Sequence, residues 1–419
     1  MNVLTHGETC AGGLPKGAEE DKSHFLLGRF RLIADYERQG LQAHATLQNT
    51  AVWGMAGNKT LGLYEGWVKM TARNGLFAQV GRMALAYDDE RIIGPNDFAS
   101  AALSHDVLRV GYEGKGHKVH AILGYNQNAS NTWTGTYYEN GAQYYKTMQT
   151  VWYHYDVPKF PLGVSLLFMN TGLQAGVNDP EAWDYKTNPP RTEYQQMFGG
   201  YINCHPRHLT LETSYYRQTG KQVYADKNSM DIRAWMAGVK ATVKPSDQYG
   251  FTLGYDYLSG DDYIPVTYGG TVGLTLQTVE KGFSPIYGSR EKFYGIMDYF
   301  YESAYINGFT PGLQNAFVGV SADLDLSPLS STLSPLNLNA TYHYLATATN
   351  LEKLNSTLGH SIELQASYRF AKDIALTANY TLMFGTETMN RLKQGTGSKT
   401  ARWGWFSLVV SPSLFTTRW

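Results

Sequence analysis

The sequence predicts an all-β fold, a transmembrane antiparallel β-barrel of the eighteen-strand type. Three observations lead there: side chains alternate in polarity along almost the whole chain, connections alternate between short and long, and strand-forming aromatics abound while charges are sparse. The 419 residues include 31 Tyr, 17 Phe, 9 Trp and 43 Gly, and 17% are charged. This mixture favours strands and turns over long helices. No window approaches the roughly 18 consecutive apolar residues of a helical span. The mean hydropathy of −0.34 suits a soluble protein and equally a barrel that turns every second residue to water, so it decides nothing.

The alternation is clearest in "LTLETSYY", where Leu209, Leu211, Thr213 and Tyr215 share one face and His208, Thr210, Glu212 and Ser214 the other. "IELQASYRF" and "DIALTANYTLMF" repeat it with the period of two that a half-buried strand requires. Seventeen such segments are expected: 24–37, 41–53, 60–72, 75–86, 105–114, 116–128, 143–157, 161–171, 192–204, 207–218, 229–243, 249–258, 312–325, 335–346, 359–370, 373–386 and 399–411. Each has at least about the 9–11 residues that a tilted strand needs to cross a bilayer.

Short turns ("RQGL", "EGKGH", "DVPKF", "CHPRH", "KPSDQ", "AKD") alternate with long polar loops at 87–104, 129–142, 172–191, 219–228, 259–311, 347–358 and 387–398. Outer-membrane barrels have tight periplasmic turns and longer extracellular loops. By that parity the 24–37 strand already runs downward. The expectation is therefore an upward first strand supplied from upstream of Met1, which would complete an even eighteen. Residues 1–23 then become an extracellular loop or disordered remnant, and 24–419 the barrel. The 259–311 segment is too long for a plain connection and is expected to fold as a lid or plug. Trp53, Trp67, Tyr125, Tyr155, Tyr257 and Trp403 are expected to form interfacial girdles, and the chain ends on Trp419.

Formal net charge is −1, which argues against a general nucleic-acid partner. The two cysteines, Cys10 and Cys204, have neither metal nor redox spacing, though a disulfide is open to them in an oxidising compartment. No signal peptide is visible at the N-terminus.

The stretch "GRMALAYDDERIIGPNDF" gathers Asp88, Asp89, Glu90 and Asp97 around Arg91. It lacks the D-x-[DN]-x-[DN]-G order of a calcium loop. Asp88, Asp89, Arg91 and Asp97 read as a loop latch, with substrate contact as the alternative. The stretch, followed by "SHDVLRVGYEGKGHKVHAILGYN", resembles the hallmark region of the alginate export family of outer-membrane porins. That family's G-R-Q-x-L-x-Y-D-D-x-R-x-x-G pattern is matched at Gly81, Arg82, Leu85, Tyr87, Asp88, Asp89, Arg91 and Gly94, and its following motif at Asp106. Met83 replaces the usual Gln. "FSPIYGSREKFYGIMDYF" is similar to a second family segment, with Glu291 where a His is common. The similarity runs from about residue 24 onward and is closer to the broad family than to its alginate exporter. It implies a porin or exporter in the bacterial outer membrane passing a charged solute or polysaccharide, with outer-membrane lipid, an anionic or neutral saccharide and a periplasmic export partner as partners.

A polyanion duct would need inward cations. Strand parity assigns Arg29, Arg31, Lys69, Arg82, Arg109, Lys118, Lys146, Lys240 and Arg369 to the lumen, with His120 and His343 nearby and Asp35, Glu65, Glu113, Glu212, Asp256 and Glu363 among them. A salt-bridged lining that holds the barrel's shape accounts for the same residues. "GTGSKT" (Gly395–Thr400) breaks the phosphate-loop order at Ser398 and reads as a mobile loop. The alternatives to a channel are a barrel enzyme, for which His105 with Asp106 or the Asp88–Asp89 pair lacks an evident nucleophile, and a structural or adhesive barrel with a blocked lumen. No catalytic residue, metal or cofactor is expected.

Overall fold

The computed structural model describes residues 1–11, 22–55, 60–128, 133, 135–139, 143–262, 265–268, 271–274, 279–285, 287–295, 309–326, 335–351, 354–393 and 400–417. Among them, eighteen long strands form one closed antiparallel barrel. They are β1 (Asn2–Ala11), β2 (Lys22–Arg38), β3 (Leu41–Val52), β4 (Thr60–Thr71), β5 (Leu76–Met83), β6 (His105–Gly114), β7 (His117–Tyr125), β8 (Thr147–Asp156), β9 (Leu162–Ala175), β10 (Arg191–Cys204), β11 (Leu209–Val223), β12 (Ser229–Val243), β13 (Tyr249–Leu258), β14 (Leu313–Leu324), β15 (Leu336–Ala346), β16 (Thr357–Ala371), β17 (Ile374–Gly385) and β18 (Thr400–Val410). All seventeen expected segments are strands.

The eighteenth is not upstream: it is Asn2–Ala11, within the stretch expected to be a loop. It closes the ring by pairing antiparallel with β2, from Asn2↔Arg31 to Ala11↔Lys22, and with β18, from Val3↔Val410 to Ala11↔Arg402. Closure gives every strand edge a partner, as hydrocarbon demands. The strand escapes a polarity reading because its outward positions Val3, Thr5, Gly7 and Thr9 are small. At Gly7 a Cβ would lie 2.5 Å from Phe406 and 2.6 Å from Leu26, so the neighbours supply the apolar cover that β1 lacks. Of the remaining expectations, residues 12–21, most of 259–311, Gly395–Lys399 of "GTGSKT" and Trp419 lie outside the described residues.

Burial is inverted relative to a soluble domain. Outward Leu61, Leu253 and Leu166 are 71%, 63% and 58% exposed, whereas inward Gln79, Thr150 and Gln218 are 2%, 2% and 0% exposed. Apolar outside and polar inside is the pattern of a barrel in lipid. Trp53, Tyr125 and Tyr257 do face outward, Tyr257 stacking on Trp235 at 4.7 Å. Trp67 and Trp403, expected in the girdles, face the bore instead: Trp67 stacks on His44 at 5.3 Å and Trp403 donates to Glu8 at 2.9 Å. Cys10 and Cys204 are unpaired. A short helix, α1 (Glu387–Lys393), lies in the connection from β17 to β18.

Candidate functional site

The bore is crossed by the connection from β5 to β6. Its path needs left-handed backbone at four non-glycine residues, Asp88, Glu90, Asn96 and Ala102, a conformation that persists only where surrounding contacts impose it. The contacts come from three separate walls. At the first, Asp88 accepts from the Trp152 indole of β8 at 3.1 Å and from the Tyr216 hydroxyl of β11 at 3.5 Å. Burial pushes this carboxyl up, and hydrogen bonds from Ser165 and Trp152 pull it back.

At the second wall Arg91, buried, donates to Asp256 of β13 at 2.8 Å and to the Tyr294 hydroxyl at 3.2 Å, lies 4.2 Å over the Phe293 ring, and is held from behind by Asp89 at 3.2 Å. Burial alone would lower the guanidinium's pKa, but Tyr294, Asp256 and Asp89 outweigh it and raise it well above its ordinary value. At the third, Asp97 takes Arg29 at 3.1 Å and Arg31 at 2.7 Å, both on β2, and Phe98 sits edge-on to His6 and Trp405. The four carboxylates thus serve different neighbours, with Glu90 accepting from Ser289 at 2.8 Å and Lys292 at 2.6 Å.

Glu90's partners belong to the second inward segment, 281–295. The two loops are pressed together at glycines: a Cβ on Gly94 would strike the Ser289 side chain, and one on Gly288 the Arg91 carbonyl. Gly94 of the hallmark pattern is therefore a close-approach position. Gly94 N–H donates to the Tyr287 carbonyl at 2.8 Å and Ser289 N–H to that of Glu90 at 2.9 Å.

No family model and no curated protein matches the chain. Among solved structures it is similar to three from Pseudomonas aeruginosa: OccK11 (OpdR), 14% identical over 99% of this chain and 96% of that one, TM-score 0.59; OpdO, 12% identical over 99% and 97%, TM-score 0.60; and OpdQ, 11% identical over 99% and 98%, TM-score 0.60. The fold is that of an outer-membrane porin. The likeness is to outer-membrane porins in general and does not single out the alginate export family.

Within this porin barrel the expected lumen residues divide. Lys69 stands over the Phe77 ring at 4.3 Å and 3.8 Å from Glu113. Lys118 pairs with Asp156 at 3.2 Å and Lys240 with Glu212 at 2.6 Å. Arg109 donates to Gln79 and to the Tyr87 hydroxyl, both neutral. Arg369 faces the bore near the periplasmic end of β16, by alternation with outward Ile362 and Leu364.

Two residues are not in the bore. Arg82 alternates with inward Met83, shares the outer face with Val80, and pairs doubly with Asp106, Nε at 2.9 Å and Nη2 at 2.7 Å. Lys146 donates to Gln174 at 3.1 Å and Thr192 at 3.4 Å. Thr192 shares the outer side of the rim with Tyr194 around Gly172. For Arg82 the parity was miscounted by one. For Lys146 the strand had not yet begun, so no parity applied.

The enzyme alternatives find no assembled group. His105 points inward to the Tyr145 hydroxyl at 3.0 Å while Asp106 points outward, and Asp88 and Asp89 engage different walls. What sequence reasoning missed are five inward histidines, each beside a carboxylate: His6–Glu8, His44–Asp35, His120–Glu113, His154–Asp156 and His343–Glu363. In the H-x-E and H-x-D spacings of His6 and His154 the signal was present, since residues i and i+2 share a strand face.

Proposed function

We propose that the chain is a passive diffusion channel for small charged or polar solutes, narrowed by the 84–104 loop acting as a constriction latched through Asp88, Asp89, Arg91 and Asp97. The observation that carries the reading is the bore itself: a closed, polar-lined barrel whose inward loop is tied to three walls. Such a loop limits solute size while leaving the wall charges to set preference.

A polyanion ladder finds less support. Asp97 occupies Arg29 and Arg31, Lys69, Lys118 and Lys240 face acids, and acids on the wall and loop outnumber Lys and Arg among the described residues. A bore of this charge favours small cations weakly. An anionic solute would find its best contact at Arg109 and Lys69, where two cations share the single acid Glu113. The alginate-export reading rests on the motif resemblance alone.

Planar-bilayer recording in a salt gradient tests the proposal. Ohmic conductance with a modest cation preference is expected. Strong anion selectivity with block by oligouronate would restore the exporter reading. Absence of current, even after the 84–104 loop is shortened, would leave a structural barrel.

A further inference from the structure

The outer surface near the extracellular rim changes character at one height. Read upward, the outward residues of β12 are Val243, Ala241, Val239, Ala237 and Trp235, followed by Arg233 and Asp231; those of β11 are Leu209, Leu211, Thr213 and Tyr215, followed by Arg217, Thr219 and Lys221. The two changes are in register, with Arg217 opposite Trp235 and Thr219 opposite Arg233. At about 3.3 Å per residue and a tilt near 40°, Val243 to Trp235 covers roughly 20 Å of membrane normal, most of the ~25 Å apolar band of such barrels. Arg233 therefore stands about 5 Å above the hydrocarbon, at headgroup level.

The boundary continues sideways. In register with Arg233 and Thr219 lie Gln196, Asn170 and Gln149, outward amides bonded to one another at 2.8 and 2.6 Å. One row below lie Phe198, Phe168 and Val151, exposed by 41%, 47% and 49%. An apolar wall is thus capped by a polar shelf across five strands.

The shelf carries uncompensated charge on β11 and β12. Lys221 is paired with Asp231 at 2.6 Å. Arg217 and Arg233 are exposed and, among the described residues, neither has an ion-pair contact. As diagonal neighbours on one face their Cα atoms are about 7–8 Å apart, within which two guanidinium groups can converge on one tetrahedral anion. Arg82 on the opposite side is already saturated by Asp106 and the Leu63 carbonyl.

We propose that this shelf holds the phosphate of an anionic lipid headgroup in the outer leaflet, with Arg217 and Arg233 on the phosphate and its acyl chains running down over Trp235, Tyr215 and Phe198. Charge complementarity and the apolar wall directly beneath choose a lipid over a free anion, which would use only the upper half of the site. The assignment is independent of channel activity.

The test is native mass spectrometry of the detergent-purified full chain, titrated with bis-phosphorylated lipid A, with its dephosphorylated form, and with inorganic phosphate. Wild type should retain the phosphorylated lipid, and R217Q/R233Q should bind it at least about tenfold more weakly, with heat-modifiable gel migration showing the barrel intact. R82Q/D106N on the far wall should match wild type. Equal retention by R217Q/R233Q, an equal loss in R82Q/D106N, or equal binding of the dephosphorylated lipid would each overturn the assignment. So would binding of inorganic phosphate without lipid, or a change in oligomer size that marks the shelf as a protein contact.

Discussion

The inner wall divides into a sector held by ion pairs and a sector of amides and hydroxyls. On β4–β12 the bore is faced by Lys69 and Glu113, Lys118 and Asp156, and Lys240 and Glu212. On β13–β17 it is faced mainly by groups such as Thr252, Ser321, Asn339, Gln365 and the hydrogen-bonded Ser367–Thr377 pair at 3.1 Å. A paired charge fixes side-chain geometry but cancels most of its own field. A neutral wall fixes less and leaves any added charge uncancelled. The 84–104 loop is what joins the two sectors, because Arg91 leaves the charged side to reach Asp256 on β13.

Breaking that bridge should have the largest effect. Arg91→Ala leaves Asp256 and Asp89 without their cation in a buried site, a loss of about 3–5 kcal/mol. The loop should detach from β13, seen as rapid proteolysis within 84–104 and a rise in single-channel conductance. Unchanged conductance together with a protease-resistant loop would show that the bridge is not what positions it.

Asp97→Ala ranks next. It strips the partner from buried Arg29 and Arg31, but Asp97 is half exposed, so water takes up part of the deficit. Roughly 2 kcal/mol is expected, with conductance fluctuating between two levels instead of rising steadily. Asp97→Asn should fall between Ala and wild type, because its amide oxygen still accepts from both arginines.

The sectors also differ in how charge should read out. Gln365→Glu places an uncancelled carboxylate on the neutral wall and should move the reversal potential toward cations by more than Glu212→Gln moves it toward anions. In the latter case Lys240 loses its partner but the remaining acids persist. Equal and opposite shifts would mean that pairing does not screen the wall.

These differences explain what the sequence made legible. Strand parity needs only local alternation, so seventeen strands and the sorting of the loops followed from it. β1 did not, because Gly7 takes its apolar cover from Phe406 and Leu26, which are distant in the chain. The acids at 88–97 were visible as a cluster, yet their roles depend on Trp152, Asp256 and Arg29, brought together only by ring closure. Parity itself fails at strand ends, which is why Arg82 and Lys146 were assigned to the bore.

The smallest effect is expected in the second inward segment, where β12 is joined in parallel by residues 279 and 280. Burial, with Asp261 close by, pushes the Glu280 carboxyl up to about 7, despite hydrogen bonds from the Tyr224 hydroxyl at 2.6 Å and the Gly282 N–H at 3.2 Å. An undocked Glu titrates near 4.3. Below that value both states are protonated and docking is at full strength. Between about 4.3 and 7 the undocked segment ionises while the docked one keeps its proton, so docking weakens with each step up in pH, and above 7 the loss levels off. Hydrogen exchange at 279–283, corrected for intrinsic rates, should therefore show more protection at pH 5 than at pH 8, with the barrel strands unaffected. Glu280→Gln should flatten the dependence, whereas an unchanged slope in that variant would assign the pH response to Asp261 instead.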